Sequence, residues 1–454
     1  MRLIAFLLII IFAFTDNFGQ RIQEEPPKTT RILFLLDASG SMLARWQGEY
    51  RIDIAKRVLG EMVTELDGKP RLETALRVYG HQYPKAEQNC RDTRLEAPFA
   101  ADNSKTIKEK LIRVKPKGTT PLAFSLEQCG GDFPNDPNSR NIIIIITDGI
   151  ESCEGDPCAI SLMLQRKNIF LKPFIIGIGI AEDYTKDFAC LGKFLNAQDP
   201  DKFKKILHTA IDQSILPTSV KVEILDQANR PTETNLPVSF INNFIQTPTK
   251  QFVHLLKNGQ AEAIDIDPVL SYDLRIETIP PVIKKDINII GGKENIIQVK
   301  APTGNLKINF KGFNAYKNLK ALVKRAGSSE ILNIQDVKKE ERYLIGKYDV
   351  EVLTTPHVKF SNVLIQNKKI KTLNIEAPGI LTIIDGGKGF GAIYEMSRDG
   401  SEEWVMDIDR QGSYNLQPGV YKLVFRPENA ISQKFSVTKT FKITPQGATQ
   451  IRLY

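Results

Sequence analysis

Arg31-Ile-Leu-Phe-Leu-Leu36 runs directly into Asp37-Ala38-Ser39-Gly40-Ser41. The apolar run has the length and continuity of a strand buried on both faces, which is the pattern of a parallel sheet. The turn that follows presents one carboxylate and two hydroxyls on alternate residues. Two later segments offer matching pieces. Lys117-Gly-Thr-Thr-Pro-Leu122 places a further hydroxyl on a tight turn, and Asn141 with Ile142 to Ile146 ends in Thr147-Asp148-Gly149. Alone, an Asp-x-Ser-x-Ser is common loop punctuation. Three such pieces, in this order and each after its own element, form a pattern. Hydroxyls and acids without His or Cys suit a hard cation such as Mg²⁺ or Ca²⁺ rather than zinc.

The elements between these pieces alternate. Ile54, Val58, Met62 and Leu66 recur every four residues as an amphipathic helix, and Thr74 to Gly80 reads as a strand. Ile107, Leu111 and Val114 mark a second helix with Asp102, Asn103 or Ser104 as caps. A third helix starts at Pro121, a fourth at Asp156-Pro157, where Asp is a good N-cap and Pro suits the first helical position. Phe170 to Ile180 is another apolar strand, and Phe203, Ile206, Leu207, Ala210 and Ile211 give a closing helix. This predicts an α/β, doubly wound, mostly parallel sheet of Rossmann-like type, whose ligands bind at the carboxyl ends of its strands. Asp37 and Asp148 fall at such ends.

The three loops resemble the metal-ion-dependent adhesion site of a von Willebrand factor type A (vWA) domain. The resemblance covers residues 29–215. It implies Asp37, Ser39 and Ser41 as first-loop ligands, Thr120 rather than Thr119 in the middle loop, and Asp148 in the third. It implies Mg²⁺, or alternatively Mn²⁺ or Ca²⁺, and a protein partner that presents an acidic side chain to the metal. Exported bacterial members carry a segment like Cys153-Glu-Gly-Asp-Pro-Cys158 at this point, which agrees with a structural role for those cysteines.

Beyond Leu216-Pro217-Thr218 the texture changes to short alternating runs separated by Gly, Asn, Pro and Lys. Tyr272-Asp-Leu-Arg-Ile-Glu-Thr-Ile-Pro-Pro281 matches Tyr348-Asp-Val-Glu-Val-Leu-Thr-Thr-Pro-His357, and Tyr421-Lys-Leu-Val-Phe-Arg-Pro427 is a third copy. Ala301-Pro-Thr-Gly-Asn-Leu-Lys-Ile308 and Ala377-Pro-Gly-Ile-Leu-Thr-Ile383 repeat in step. A period of about 75 residues fits a small sandwich built from strands at intervals of about 8–12 residues. Three tandem all-β sandwich modules are therefore expected, at 217–301, 302–377 and 378–454, each closing on its Tyr strand, a loop and one final strand.

Composition sets the class. The chain has 454 residues, 42% hydrophobic and 25% charged, which is an ordinary globular balance spread over more than one domain. Arg2 and the apolar run Leu3 to Phe14 read as a signal peptide over residues 1–19, with an uncleaved anchor as the rival. No later stretch is a membrane span, so the mature protein is expected to be exported: periplasmic, cell-surface or secreted. Of the five cysteines, Cys153 and Cys158 flank a small loop whose closure contributes roughly 2 kcal/mol on the chain-entropy model, and they are read as a disulfide; zinc is the rival. Cys129, after an apolar helix, is read as a buried free thiol, while Cys90 and Cys190 are left undecided. The formal charge of +8 lies nearly all beyond residue 215, where lysines such as Lys307, Lys311, Lys317, Lys368, Lys369 and Lys371 alternate with apolar residues. Solvated strand faces explain them, nucleic acid is not expected, and an anionic surface polymer is a second candidate partner.

Enzyme signatures are scarce. The four histidines, His81, His208, His254 and His357, form no motif, and no Gly-x-Ser-x-Gly, Walker loop or His-Glu-x-x-His occurs. Gly386-Gly-Lys-Gly-Phe-Gly391 lacks the Ser/Thr of a phosphate loop and reads as a hairpin turn. Phe310, Phe313, Tyr316 and Trp404 read as core and corners, with a sugar platform as the rival. Three functions follow in order: metal-dependent protein binding or adhesion, a scaffold or assembly factor with a purely structural metal loop, and a hydrolase using Asp148 or Glu151 on a metal-bound water.

Overall fold

A computed structural model describes residues 29–136, 138–149, 151–167, 169–176, 196–197, 199–268, 270–312, 316 and 318–453. The chain divides into two compact units between Ala210 and Ile211. The expected leader, Cys190, Phe313 and residues 177–180 of the predicted strand lie outside the described residues. Among the described residues, no helix is long and apolar enough to cross a membrane.

The first unit is an α/β domain with a six-stranded sheet. Its strands are β1 (Thr29–Asp37), β2 (Leu72–Tyr79), β3 (Thr93–Ala100), β4 (Ser139–Thr147), β5 (Ile169–Ile176) and β6 (Asn196–Ala197). Their spatial order is β3-β2-β1-β4-β5-β6, all parallel except β3, which runs antiparallel on the edge. The helices are α1 (Arg51–Leu66), α2 (Ser104–Arg113), α3 (Leu122–Asp132), α4 (Pro157–Arg166) and α5 (Pro200–Ile215). Leu33, Leu35, Ile143 and Ile145 form one core with Leu122, Leu126 and Cys129 of α3 and Leu164 of α4. The alternate residues Ile32, Phe34, Ile142 and Ile144 are equally buried. Both faces of the central strands are thus covered, which is why these segments are apolar at every position. Asp156 caps α4 through the amides of Cys158 and Ala159 with Pro157 at the first turn, as its sequence dictates. The α2 cap differs: Asn103 spends its side-chain amide on the carbonyls of Thr74 and Pro98 and makes no cap bond. Strand β3 adds to the elements the sequence pattern predicts: Pro98 interrupts its run, and an edge strand tolerates that proline.

The order β3-β2-β1-β4 reverses direction between β1 and β4, the point where doubly wound sheets open a crevice at their carboxyl ends. The last residue of β1 is Asp37, and Asp148 follows β4.

The second unit contains three separate β cores, around Val222 and Phe240, around Leu306 and Val350, and around Leu381 and Phe425. In each, the first strand pairs in parallel with the last: Ser219–Leu225 with Glu294–Lys300, Thr303–Lys311 with Ile370–Glu376, and Gly379–Met396 with Ala448–Arg452. Each repeated tyrosine is buried and donates its hydroxyl to a carbonyl upstream: Tyr272 to Asp267 at 2.8 Å, Tyr348 to Leu344 at 2.8 Å, Tyr421 to Gln417 at 2.6 Å. Such tyrosine corners are a device of immunoglobulin-like sandwiches. Two strands follow the Tyr strand in every copy rather than the one expected. The extra strand hydrogen-bonds to the Tyr strand itself and completes its layer.

The Gly386–Gly391 stretch is not a hairpin turn. It lies inside the 18-residue strand Gly379–Met396, where the pairing register shifts between Ile383 and Lys388 and again before Gly391. A Cβ on Gly389 or Gly391 would sit 2.4 Å from the Arg426 carbonyl or 2.5 Å from that of Val424, with the Phe425 ring pressed against both. The glycines let a kinked strand pass over that ring. Trp404 is 58% exposed, so it is neither core nor corner.

Candidate functional site

Three loops converge at the carboxyl end of the sheet, and Gly80 makes their approach possible. It has a φ of +70°, and a Cβ there would lie 2.6 Å from the Thr119 carbonyl and 2.9 Å from Ser39 Cα. Gly118 N donates to Gly80 O, Gly40 N donates to Gly118 O, and Lys117 N donates to Ala38 O. Asp92, buried, holds the Gly80 loop by accepting from the amides of Gln82 and Tyr83. Backbone contact alone therefore locks the Ser39 loop to the Thr119-Thr120 loop.

Within this frame the predicted oxygens form a chain. Asp37, fully buried, accepts from the Ser39 amide at 2.7 Å through Oδ1 and from the Thr147 hydroxyl at 2.6 Å through Oδ2. The Ser39 and Ser41 hydroxyls are 2.9 Å apart, and Ser41 donates to Asp148 Oδ1 at 2.7 Å. Asp37, Ser39, Ser41 and Asp148 are thus brought together. Thr120 is buried on the adjoining loop and joined to the third: its amide donates to Ser152 Oγ at 2.8 Å and its carbonyl accepts from Ser152 N at 3.1 Å. Among the described residues, no hydrogen bond joins its hydroxyl to the other four. Thr119 is used elsewhere, donating its hydroxyl to Asn89 O at 3.2 Å.

The electrostatics are those of crowded carboxylates. Burial first, and the neighbouring Asp148 charge second, push the Asp37 carboxyl up to about 6, against the opposing hydrogen bonds from Thr147 and Ser39. A divalent cation would relieve that repulsion, and the all-oxygen donor set fits a hard one.

One residue at the site, Arg51, carries no sequence assignment. Arg51 donates through Nη1 to Asp148 Oδ2 at 2.6 Å. Its signal was there: a cation at the first position of a helix opposes the helix dipole and needs another reason. Glu151, read as a hydrolytic base, instead accepts from the Ala123 amide at 2.5 Å and the Cys153 amide at 2.8 Å, capping α3 from another loop. His81 is engaged by Glu96 at 3.0 Å, and His208 pairs with Glu65 at 2.7 Å.

The predicted Cys153–Cys158 disulfide is corrected: Cys153 is bonded to Cys90, 63 residues away. Cys153 lies against Thr119, whose hydroxyl reaches Asn89, so the fold delivers the Cys90 loop to its thiol. Cys158 belongs to the first turn of α4 and is disulfide-bonded in its own right. Cys129 is free and buried.

The first unit is similar to known proteins. The family model described as "von Willebrand factor type A domain" matches residues 32–151. YwmD of Bacillus subtilis (strain 168), an uncharacterized protein, is 30% identical over 191 residues, spanning 40% of this chain and 84% of that protein. YwmC of the same organism is 26% identical over 180 residues, 38% of this chain and 78% of its own length. Among solved structures, the conserved hypothetical protein BatB from Bacteroides thetaiotaomicron aligns with 40% of this chain and 97% of its own, at 19% identity and a TM-score of 0.33.

Proposed function

Because the chain belongs to the von Willebrand factor type A domain family, we propose that its three-loop site binds one divalent cation and, through it, an acidic group of a protein partner. Asp37, Ser39, Ser41, Thr120 and Asp148 are the ligands of this reading, with Mg²⁺ as the ion and Mn²⁺ or Ca²⁺ as alternatives. One observation carries it: the unbroken run of oxygens from Asp37 through Ser39 and Ser41 to Asp148, at the switch point of the sheet. The cation, when bound, supplies an open coordination position for an outside carboxylate. The chain's own residues do the rest. Gly80 and Gly118 fix the spacing of two loops, Thr147 orients Asp37, and Ser152 ties Thr120 to the third loop.

Binding is favoured over hydrolysis because Glu151 is committed to two backbone amides. The disulfide Cys90–Cys153 and the bonded Cys158 support an exported, oxidising location. Residues 217–301, 302–377 and 378–454 are read as three modules that hold the metal domain away from an anchor or join it to other subunits. The test is calorimetric titration of Mg²⁺ or Mn²⁺ into wild type and Asp37→Ala, followed by partner capture from the exported fraction with and without EDTA. Equal metal affinity in the two proteins would exclude the site; capture unaffected by EDTA would move the function to the modules.

A further inference from the structure

Arg51 stands where helix energetics disfavour it. It is the first residue of α1, at the positive end of the helix dipole. Its guanidinium nonetheless lies 2.6 Å from Asp148 Oδ2, with side-chain exposures of 15% and 0% for the two partners. The other oxygen of Asp148 accepts from Ser41. Both oxygens of Asp148 are therefore engaged, one of them by a charge. A buried carboxylate that loses its counter-ion is left with an uncompensated charge, and here Asp37 is a second acid in the same site.

We propose that Arg51 is the resident counter-ion of the metal-free site, which an incoming divalent cation must displace from Asp148. The inference rests on the metal-binding reading above. Its consequences differ from those of a site made of acids and hydroxyls alone. Two carboxylates and one guanidinium leave a single net negative charge, so the intrinsic attraction for a dication is reduced. The apo loops are held in place by the ion pair rather than splayed by repulsion. Once loaded, the same groups carry a net positive charge, which favours an anionic partner over a neutral one.

The experiment titrates Mn²⁺ alone into full-length mature wild type, Arg51→Gln and Arg51→Lys, read by calorimetry and by the electron paramagnetic resonance signal of free Mn²⁺. Arg51→Gln should bind Mn²⁺ tighter by about tenfold or more, because the competitor is gone. Arg51→Lys keeps the charge and should bind close to wild type, an outcome that a purely packing role would not produce. Arg51→Met retains the aliphatic stem and is the variant to read if Arg51→Gln does not fold. Unchanged or weaker binding by the neutral variants, beside a wild type that binds, overturns the inference and leaves the metal site standing. A wild type that binds no Mn²⁺ overturns both.

Discussion

Thr147 donates its hydroxyl to Oδ2 of Asp37 across 2.6 Å, joining the last residues of two neighbouring parallel strands at their carboxyl ends. Tyr79, at the end of the strand on the other side of Asp37, donates in turn to Thr147 at 3.1 Å. The three residues form a buried polar row beneath the loops that orients Asp37. Thr147→Val keeps the shape and removes the donor. It takes one donor from a buried carboxylate, which should cost about 1–3 kcal/mol of stability in the first unit. Chemical denaturation of the metal-free protein measures this, and an unchanged midpoint would mean that the row does not hold Asp37.

Gly80 is the second position with a sharp expectation. Alanine there has to adopt a φ of +70° and place its Cβ 2.6 Å from the Thr119 carbonyl, against backbone rather than a flexible side chain. The left-handed conformation and the overlap together should cost about 2–4 kcal/mol. They should also part the Ser39 loop from the Thr120 loop, so metal affinity falls with stability. Gly131→Ala, where the new Cβ meets nothing within 4 Å beyond its chain neighbours and the backbone of its own helix, is the control and should leave metal affinity unchanged.

These two positions show which parts of the site were legible in the sequence. Asp37, Ser39, Ser41 and Asp148 were, because they end or follow strands whose five or more consecutive apolar residues have the pattern of a buried parallel element. Thr147 and Gly80 were written beside them, but their roles depend on which strands become neighbours. Arg51 and the Cys90–Cys153 bond are less legible still. Both join segments distant in sequence, and short spacing favoured Cys158 although α4 begins between it and Cys153. Periodicity describes elements; the contacts between loops follow from the order of strands.

The Cys90–Cys153 bond crosses from the loop after β2 to the loop after β4, beside Thr119. It closes a separation of 63 residues, so the chain-entropy model assigns it about 4 kcal/mol. Paired Cys90→Ser and Cys153→Ser substitution should lower the melting temperature of the first unit by a margin measurable in calorimetry. The two mutated together should cost no more than either alone, since one bond is lost in each case. Additive losses would show that the cysteines act separately.

His254 gives the second unit a pH dependence of defined sign. It is 2% exposed, its Nε2 lies 2.7 Å from the Val222 carbonyl and its Nδ1 3.3 Å from the Thr234 hydroxyl. Burial pulls its pKa below the ordinary 6.5, and the Val222 carbonyl only partly opposes this. The unfolded chain therefore binds a proton at a pH where the folded module does not. Acidification then favours unfolding, and stability should begin to fall as the pH drops below about 6.5 and continue to fall until the folded-state pKa is passed. The interval from pH 7 to 5 covers the start of that fall, and comparison with a His254 variant isolates the imidazole. Denaturation of residues 217–454 across that interval should show the decline in wild type and a flatter profile in His254→Gln, at lower overall stability. An equal slope in both would place the pH response on another group.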